Sequence, residues 1–119
     1  MTEPGERDLD RLLATLSPVL ADAEYAFAEH QGGPLPDGTF TLIREAEGDA
    51  IIVECAGGGW ARITLQVHSS LEAVGLSAEL TRRLAERGIA ANVVAGRLHD
   101  HVFVPWDRRA EALDAINRG

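Results

Sequence analysis

Residues 60–67 read WARITLQV. Ile63, Leu65 and Val67 alternate with Arg62, Thr64 and Gln66, the period of a strand with one buried face. The period then changes. Leu76, Leu80 and Leu84 stand four apart, with Ala73 and Ala85 beside them, and Gly88 suits the position just past a helix end. Two starts fit this helix. Ser69 with Glu72 makes a capping box, whereas Gly75 marks a loop that delays the helix to about 75. IAANVVA (89–95) reads as the next strand, GRL as a turn, and HDHVFV (99–104) as a returning strand that Pro105 ends. Asp107 is placed to cap a last helix whose apolar side carries Leu113 and Ile116. From residue 60 the order is therefore βαββα, the ferredoxin-like split unit without its last strand.

That unit leaves an open edge beside strand 62–68, which needs covering. The upstream chain supplies strands for it. Leu9, Leu12, Leu13 and Leu16 predict an amphipathic helix of about three turns, ended or kinked at Pro18. AEYAFAEH (23–30) sets Tyr25 and Phe27 on one strand face, and QGGPLPDG (31–38) is a loop. TFTLIRE (39–45) and AIIVECA (50–56) read as strands joined by a hairpin turn, and GGG at 57–59 is the seam between halves. The expected fold class is α+β: an αβββ half over 1–59 and a βαββα unit over 60–119. Antiparallel strands carry the helices on one face, and the halves share one sheet or close two sheets against each other.

Composition excludes several function classes. Nineteen acidic against 11 basic residues give a net charge of −8, which argues against a nucleic-acid partner. Arg82-Arg83 and Arg108-Arg109 read as solvated helix faces with acids nearby. No apolar run is long enough to span a bilayer, and MTEPGERDLDRLL lacks the basic and apolar regions of a secretory signal. The single cysteine, Cys55, rules out an intramolecular disulfide and fits a reducing cytoplasm. Its apolar surroundings in sequence read as those of a buried structural thiol. Trp60 and Trp106 read as core or interface anchors.

Three of the four histidines, His68, His99 and His101, fall where the topology brings the end of strand 62–68 beside the start of strand 99–104. The N-terminus of the following helix opens at the same corner, and its free backbone N–H groups favour a carboxylate. Asp100, on the face opposite His99 and His101, is placed to receive an ammonium group. A corner of this chemistry suits a zwitterion, such as an amino acid. His99 and His101, sharing a face with Phe103, are read either as hydrogen-bonded structural residues or as ligand contacts. Asn92 either bonds a ligand or satisfies a backbone group, and Gly75 serves close ligand approach or the turn into the helix. A His-x-His with a distant histidine is a weak zinc signal, so no metal and no other cofactor is expected. His68, Ser69, Ser70 and Asp100 supply the residue types of a hydrolytic triad, but no G-x-S-x-G elbow is present and no enzyme is expected.

AVGLSAELTRRLAERGIAANVVAG resembles the ACT-domain signature, with its glycine-led helix and the LAERGI passage into the second strand. More narrowly, HSSLEAVGL, NVVAG and HDHVFVP, with SPVLADAEYAFAE and REAEGDAIIV upstream, resemble a family of small bacterial ACT-domain proteins of unassigned function. The chain is more distantly similar to the ACT repeats of the CASTOR arginine sensors, whose comparable block also has an aspartate before H-I/V-x-V-P. The resemblance implies tandem ACT-like units, the first incomplete, assembled as a homodimer and binding an amino acid or related metabolite. By position, Val74, Gly75 and Leu76 match the ligand loop, Asn92 and Val93 the strand facing it, and Asp100 the aspartate of the sensor repeats. The resemblance also implies regulation in trans. Where family members carry a longer connector with a short helix, only CAGGGW stands here, so the first unit is expected to lack its second helix.

Overall fold

Helix α1 (Leu9–Ala14) is shorter than its leucine spacing predicts. Asp8 opens it, its Oδ1 accepting from the N–H of Asp10 at 3.0 Å and of Arg11 at 3.3 Å. Beyond Thr15 the chain turns out through Ser17, which adopts a positive φ of 45°, yet Leu16 still reaches the core beside Leu12. Pro18 therefore starts the next strand rather than kinking a long helix. The computed structural model describes residues 8–67 and 74–119.

Strand β1 (Pro18–His30) begins five residues before the expected AEYAFAEH run. It is followed by β2 (Thr39–Glu45), β3 (Gly48–Glu54), β4 (Trp60–Leu65), helix α2 (Leu76–Ala85), β5 (Asn92–Ala95) and β6 (Asp100–Pro105). A 3-10 turn (Trp106–Arg108) then leads into helix α3 (Arg109–Arg118). All six strands form one sheet in the order β2-β3-β1-β4-β6-β5, every pair antiparallel. The edge of β4 is covered by β1, so the two halves share a sheet. Between the pairs Leu20–Ile63 and Glu24–Ala61 the register of β1 slips, a bulge that bends it. The same slip breaks the alternation that would have marked its first half as strand.

One sheet face carries the helices. Ala61, Ile63 and Leu65 of β4 and Val102 and Val104 of β6 pack there against Leu12, Leu76, Leu80, Leu84, Ala112, Ala115 and Ile116. Each valine, leucine or isoleucine among them contributes roughly 1.5–3 kcal/mol on burial. Helix α2 ends as its sequence predicts. Gly88 takes a φ of 69°, its N–H bonding to Ala85 O while that of Ile89 bonds to Leu84 O, the paired bonds of a Schellman end. Asp107 sits in the 3-10 turn and does not cap α3, whose start has no side-chain cap.

The arginine pairs are only partly solvated. Arg82 is exposed between Glu79 and Glu86, but the Arg83 side chain is 12% exposed and donates to Ile116 O at 2.6 Å, satisfying the end of α3. In return, Arg108 donates to Arg87 O at 3.0 Å at the end of α2. Arg109 stacks on Trp106 at 3.8 Å. The sequence shows the neighbouring acids but not that the two helix ends lie within reach of each other's arginines.

The opposite face is aromatic. Tyr25, Ile52 and Phe103 are buried there, with Phe40 and Trp60 packed on them. The Phe40 and His101 rings lie 4.9 Å apart, although β2 and β6 are four strands apart in the sheet order. A flat sheet would hold them roughly 19 Å apart at about 4.8 Å per strand, so this sheet curls tightly over its aromatic face. Phe40 is itself the extra residue of a bulge, between the pairs Thr39–Val53 and Thr41–Ile52, and a bulge supplies such bending.

The connector from β3 to β4 holds no helix, as the short CAGGGW implies. Instead Glu24 stands in it as an anchor. Its Oε1 accepts from Gly57 N at 3.0 Å and its Oε2 from Gly59 N at 2.8 Å, while Cys55 N bonds to Glu24 O at 2.8 Å. Strand β3 stops at Glu54, so Cys55 is exposed in this loop, contrary to the buried thiol that its apolar neighbours predict. Among the described residues, no helix is long and apolar enough to cross a membrane.

Candidate functional site

Pleating decides which of the expected residues meet. Asp100 shares the helix-bearing face with Val102 and Val104, since alternate residues of β6 point the same way. It pairs with Ala95, and Val93 of the same face pairs with Val102. Asp100 is half-buried, and its carboxylate makes no hydrogen bond or ion pair with any described residue. Burial raises its pKa above the ordinary aspartate value, and the charge of His99 offsets part of that rise.

Helix α2 begins late. Gly75 is its N-cap with a φ of 95°, so the delayed start is the one adopted. Only glycine takes that conformation without strain, and a Cβ there would lie 3.2 Å from Leu9 Cδ2. The turn into the helix and the packing of α1 thus explain Gly75 without a ligand. Leu76 is a core side chain, 3% exposed, so only its backbone can face a ligand, while Val74 is 83% exposed. The chain passes into α2 after leaving β4 at the end of the sheet where β6 begins, as Thr64 pairs with His101. His68, Ser69 and Ser70 lie outside the described residues, as does the Ser69–Glu72 capping box.

The other expected residues diverge. His99 holds its Nδ1 3.3 Å from Val67 O, a structural tie between the two chain segments at this corner. His101 points to the aromatic face with Phe103, its Nδ1 2.8 Å from Thr64 Oγ1 and its ring against Phe40. Asn92, paired with Phe103, is exposed on that same face. Val93 and Asp100 therefore share the helix-bearing face, and Asn92 and His101 lie on the other. Among the described residues no three His, Cys, Asp or Glu side chains are grouped to hold a metal. A shallow groove of about 380 Å³ lies between Phe27, His30, Glu45 and Asp49, and none of the expected residues lines it.

Sequence reasoning passed over Arg62 and Thr64 as the solvent side of a half-buried strand. Arg62 donates from Nε to Tyr25 Oη at 3.2 Å and from Nη1 to Thr64 Oγ1 at 2.9 Å. The signal was available in the pairing itself, because strand 62–68 set antiparallel to 99–104 brings Thr64 near the histidines.

This fold and its two-part sequence define a class. One ACT-domain sequence model matches residues 4–57 and a second matches residues 58–118. The chain belongs to the ACT-domain family, as two tandem ACT-type units, and ACT domains are in general regulatory modules for small ligands. Among solved structures it is similar to VC0802 from Vibrio cholerae, a protein of unknown function described as a possible transport protein. That pair shares 41% identity and a TM-score of 0.76 over 91% of this chain and 92% of that one. It is also similar in fold to Atu0741 from Agrobacterium tumefaciens, with 17% identity and a TM-score of 0.63 over 77% and 79% of the two chains. No curated protein matches the sequence.

Proposed function

We propose that the protein is a non-catalytic regulatory module that binds an amino acid or related metabolite at the corner of α2 and β6. The ligand carboxylate meets the first-turn N–H groups of α2, and its amine meets Asp100. The module acts in trans in the cytoplasm as a homodimer, with its sequence units meeting at 59/60. The observation that supports this reading is Asp100, a half-buried carboxylate without a hydrogen-bond partner among the described residues. Such a group is costly to keep charged, and an ammonium ligand would offset that cost.

Thermal-shift screening against the proteinogenic amino acids tests it. A ligand present at about 100 times its Kd adds roughly 2.7 kcal/mol to the native state, and the rise in Tm should vanish in Asp100→Asn. The ligand-free variant carries a second sign. With its folded pKa above the unfolded value, Asp100 binds its proton more tightly when folded. It thus lowers stability as pH rises from the ordinary aspartate range through the raised value. Ligand-free Asp100→Asn is therefore expected to be at least as stable as the native chain at pH 7, and to lose that advantage in acid. No response to any amino acid at millimolar concentration sinks the proposal.

One observation favours an alternative, a dimerisation module without a ligand. Phe27 and Ile43 are 46% and 42% exposed. A dimer by light scattering that withstands Phe27→Ser and responds to no amino acid would count against both readings.

A further inference from the structure

Among the described residues, no carboxylate meets the positive charge on the aromatic face. Arg82, Arg83, Arg87, Arg108 and Arg118 each meet a carboxylate. Arg62 is half-buried and meets only neutral groups among the described residues, the hydroxyls of Tyr25 and Thr64. Those bonds take two of its five N–H donors and leave three. Glu54 pairs with Tyr25 across the β1–β3 ladder, but its carboxylate lies against Gly38. In a chain of net charge −8, carboxylates are plentiful and are kept off this cation.

The neighbours hold the guanidinium in place and keep the surroundings neutral. Thr64 Oγ1 accepts from Arg62 Nη1 and also lies 2.8 Å from His101 Nδ1. Burial and then the charge of Arg62 lower the pKa of His101, which favours its uncharged form. The Phe40 ring lies 4.8 Å from the guanidinium carbon and the Tyr25 ring 5.5 Å. Next along the same face of β4, Trp60 meets Phe27 edge-on at 5.4 Å, and Phe27 remains 46% exposed. A planar, doubly oriented cation beside an exposed aromatic shelf matches one ligand chemistry: a carboxylate joined to an apolar body.

We propose that Arg62, held by Tyr25, Thr64 and Phe40, is the receptor for the carboxylate of a small organic acid whose apolar part lies on Phe27 and Trp60. This second site is on the sheet face away from the helices and does not depend on the Asp100 corner. Thr64 and His101 are positioning residues, holding the guanidinium without adding a counter-charge.

Sodium benzoate, its neutral isostere benzamide and sodium chloride at matched ionic strength provide the test on the full chain. Tryptophan fluorescence and Tm are read together. Benzoate is expected to bind saturably below about 20 mM and benzamide about tenfold more weakly. The response to benzoate should be lost in Arg62→Gln and kept in Asp100→Asn, which separates this site from the corner. Equal responses to benzoate and benzamide, no response beyond that of chloride, or binding that survives in folded Arg62→Gln would each overturn it. If Arg62→Gln does not fold, the contrast between benzoate and benzamide on the native chain decides alone.

Discussion

Phe103→Ala is expected to lower the free energy of unfolding by about 3–5 kcal/mol, the range for truncating a fully buried phenylalanine. Phe103 has no exposed surface, and it receives the edges or faces of Tyr25, Phe27 and Phe40 at 5.6, 5.6 and 5.5 Å. Each pair adds roughly 0.5–1.5 kcal/mol beyond its buried area. The residue therefore ties β6 to β1 and to the curled end of β2 at once. Its loss should also release Phe40 from over Arg62, so near-ultraviolet circular dichroism should weaken along with stability. Denaturant unfolding measures the main effect, and a loss below about 1 kcal/mol would mean that the curl is held by something else.

Gly58→Ala should cost nearly as much, for a backbone reason. A Cβ at that position would sit 2.4 Å from the carbonyl oxygen of Tyr25 and 2.6 Å from its carbonyl carbon. Neither atom can move without distorting the centre of the sheet, so the loop must move instead. It would then give up its two amide bonds to the Glu24 carboxylate, and charge-assisted bonds of this kind contribute about 1.5–3 kcal/mol each. A total near 3 kcal/mol is expected. Gly57 gives the control in the same loop. A Cβ there meets nothing within 4 Å, and only its φ of 84° opposes substitution, at a cost of roughly 1–2 kcal/mol. If Gly57→Ala and Gly58→Ala prove equally destabilising by denaturant unfolding, close approach is not what Gly58 provides.

The second half of the chain was readable because its periods are clean. The alternation in 62–67 and the leucine stripe of α2 give the βαββα order, and the pairing of β4 with β6 follows from it. The first half was harder because bulges interrupt its periods. Slippage at Ala21–Ala23 hid the start of β1, and the proline there read as a helix stop. Residue patterning along one strand also cannot report curvature. Arg62 alternates with buried neighbours and so looks solvent-facing. Only the curl that brings Phe40 from β2 across to β6 shows what lies over it. The same limit applies to the histidines. Strand alternation already set His101 opposite Asp100, but it did not show that His101 meets Thr64 and Phe40 while His99 reaches Val67 O. Asp100 drew attention as the carboxylate between two histidines, and its half-burial was not legible; Cys55 misled because its strand stops one residue before it.

Strand β1 bonds on one side to β3 and on the other to β4, a strand from each of the two ACT-type stretches. Repeats in a string contact only their neighbours, and each holds a largely intrinsic share of the stability. Here the loss of either stretch would strip a partner from the middle of the sheet and expose a long edge. The two stretches are thus interlocked through β1. The halves depend on each other for their hydrogen-bonding partners, and neither is expected to fold as a sheet alone.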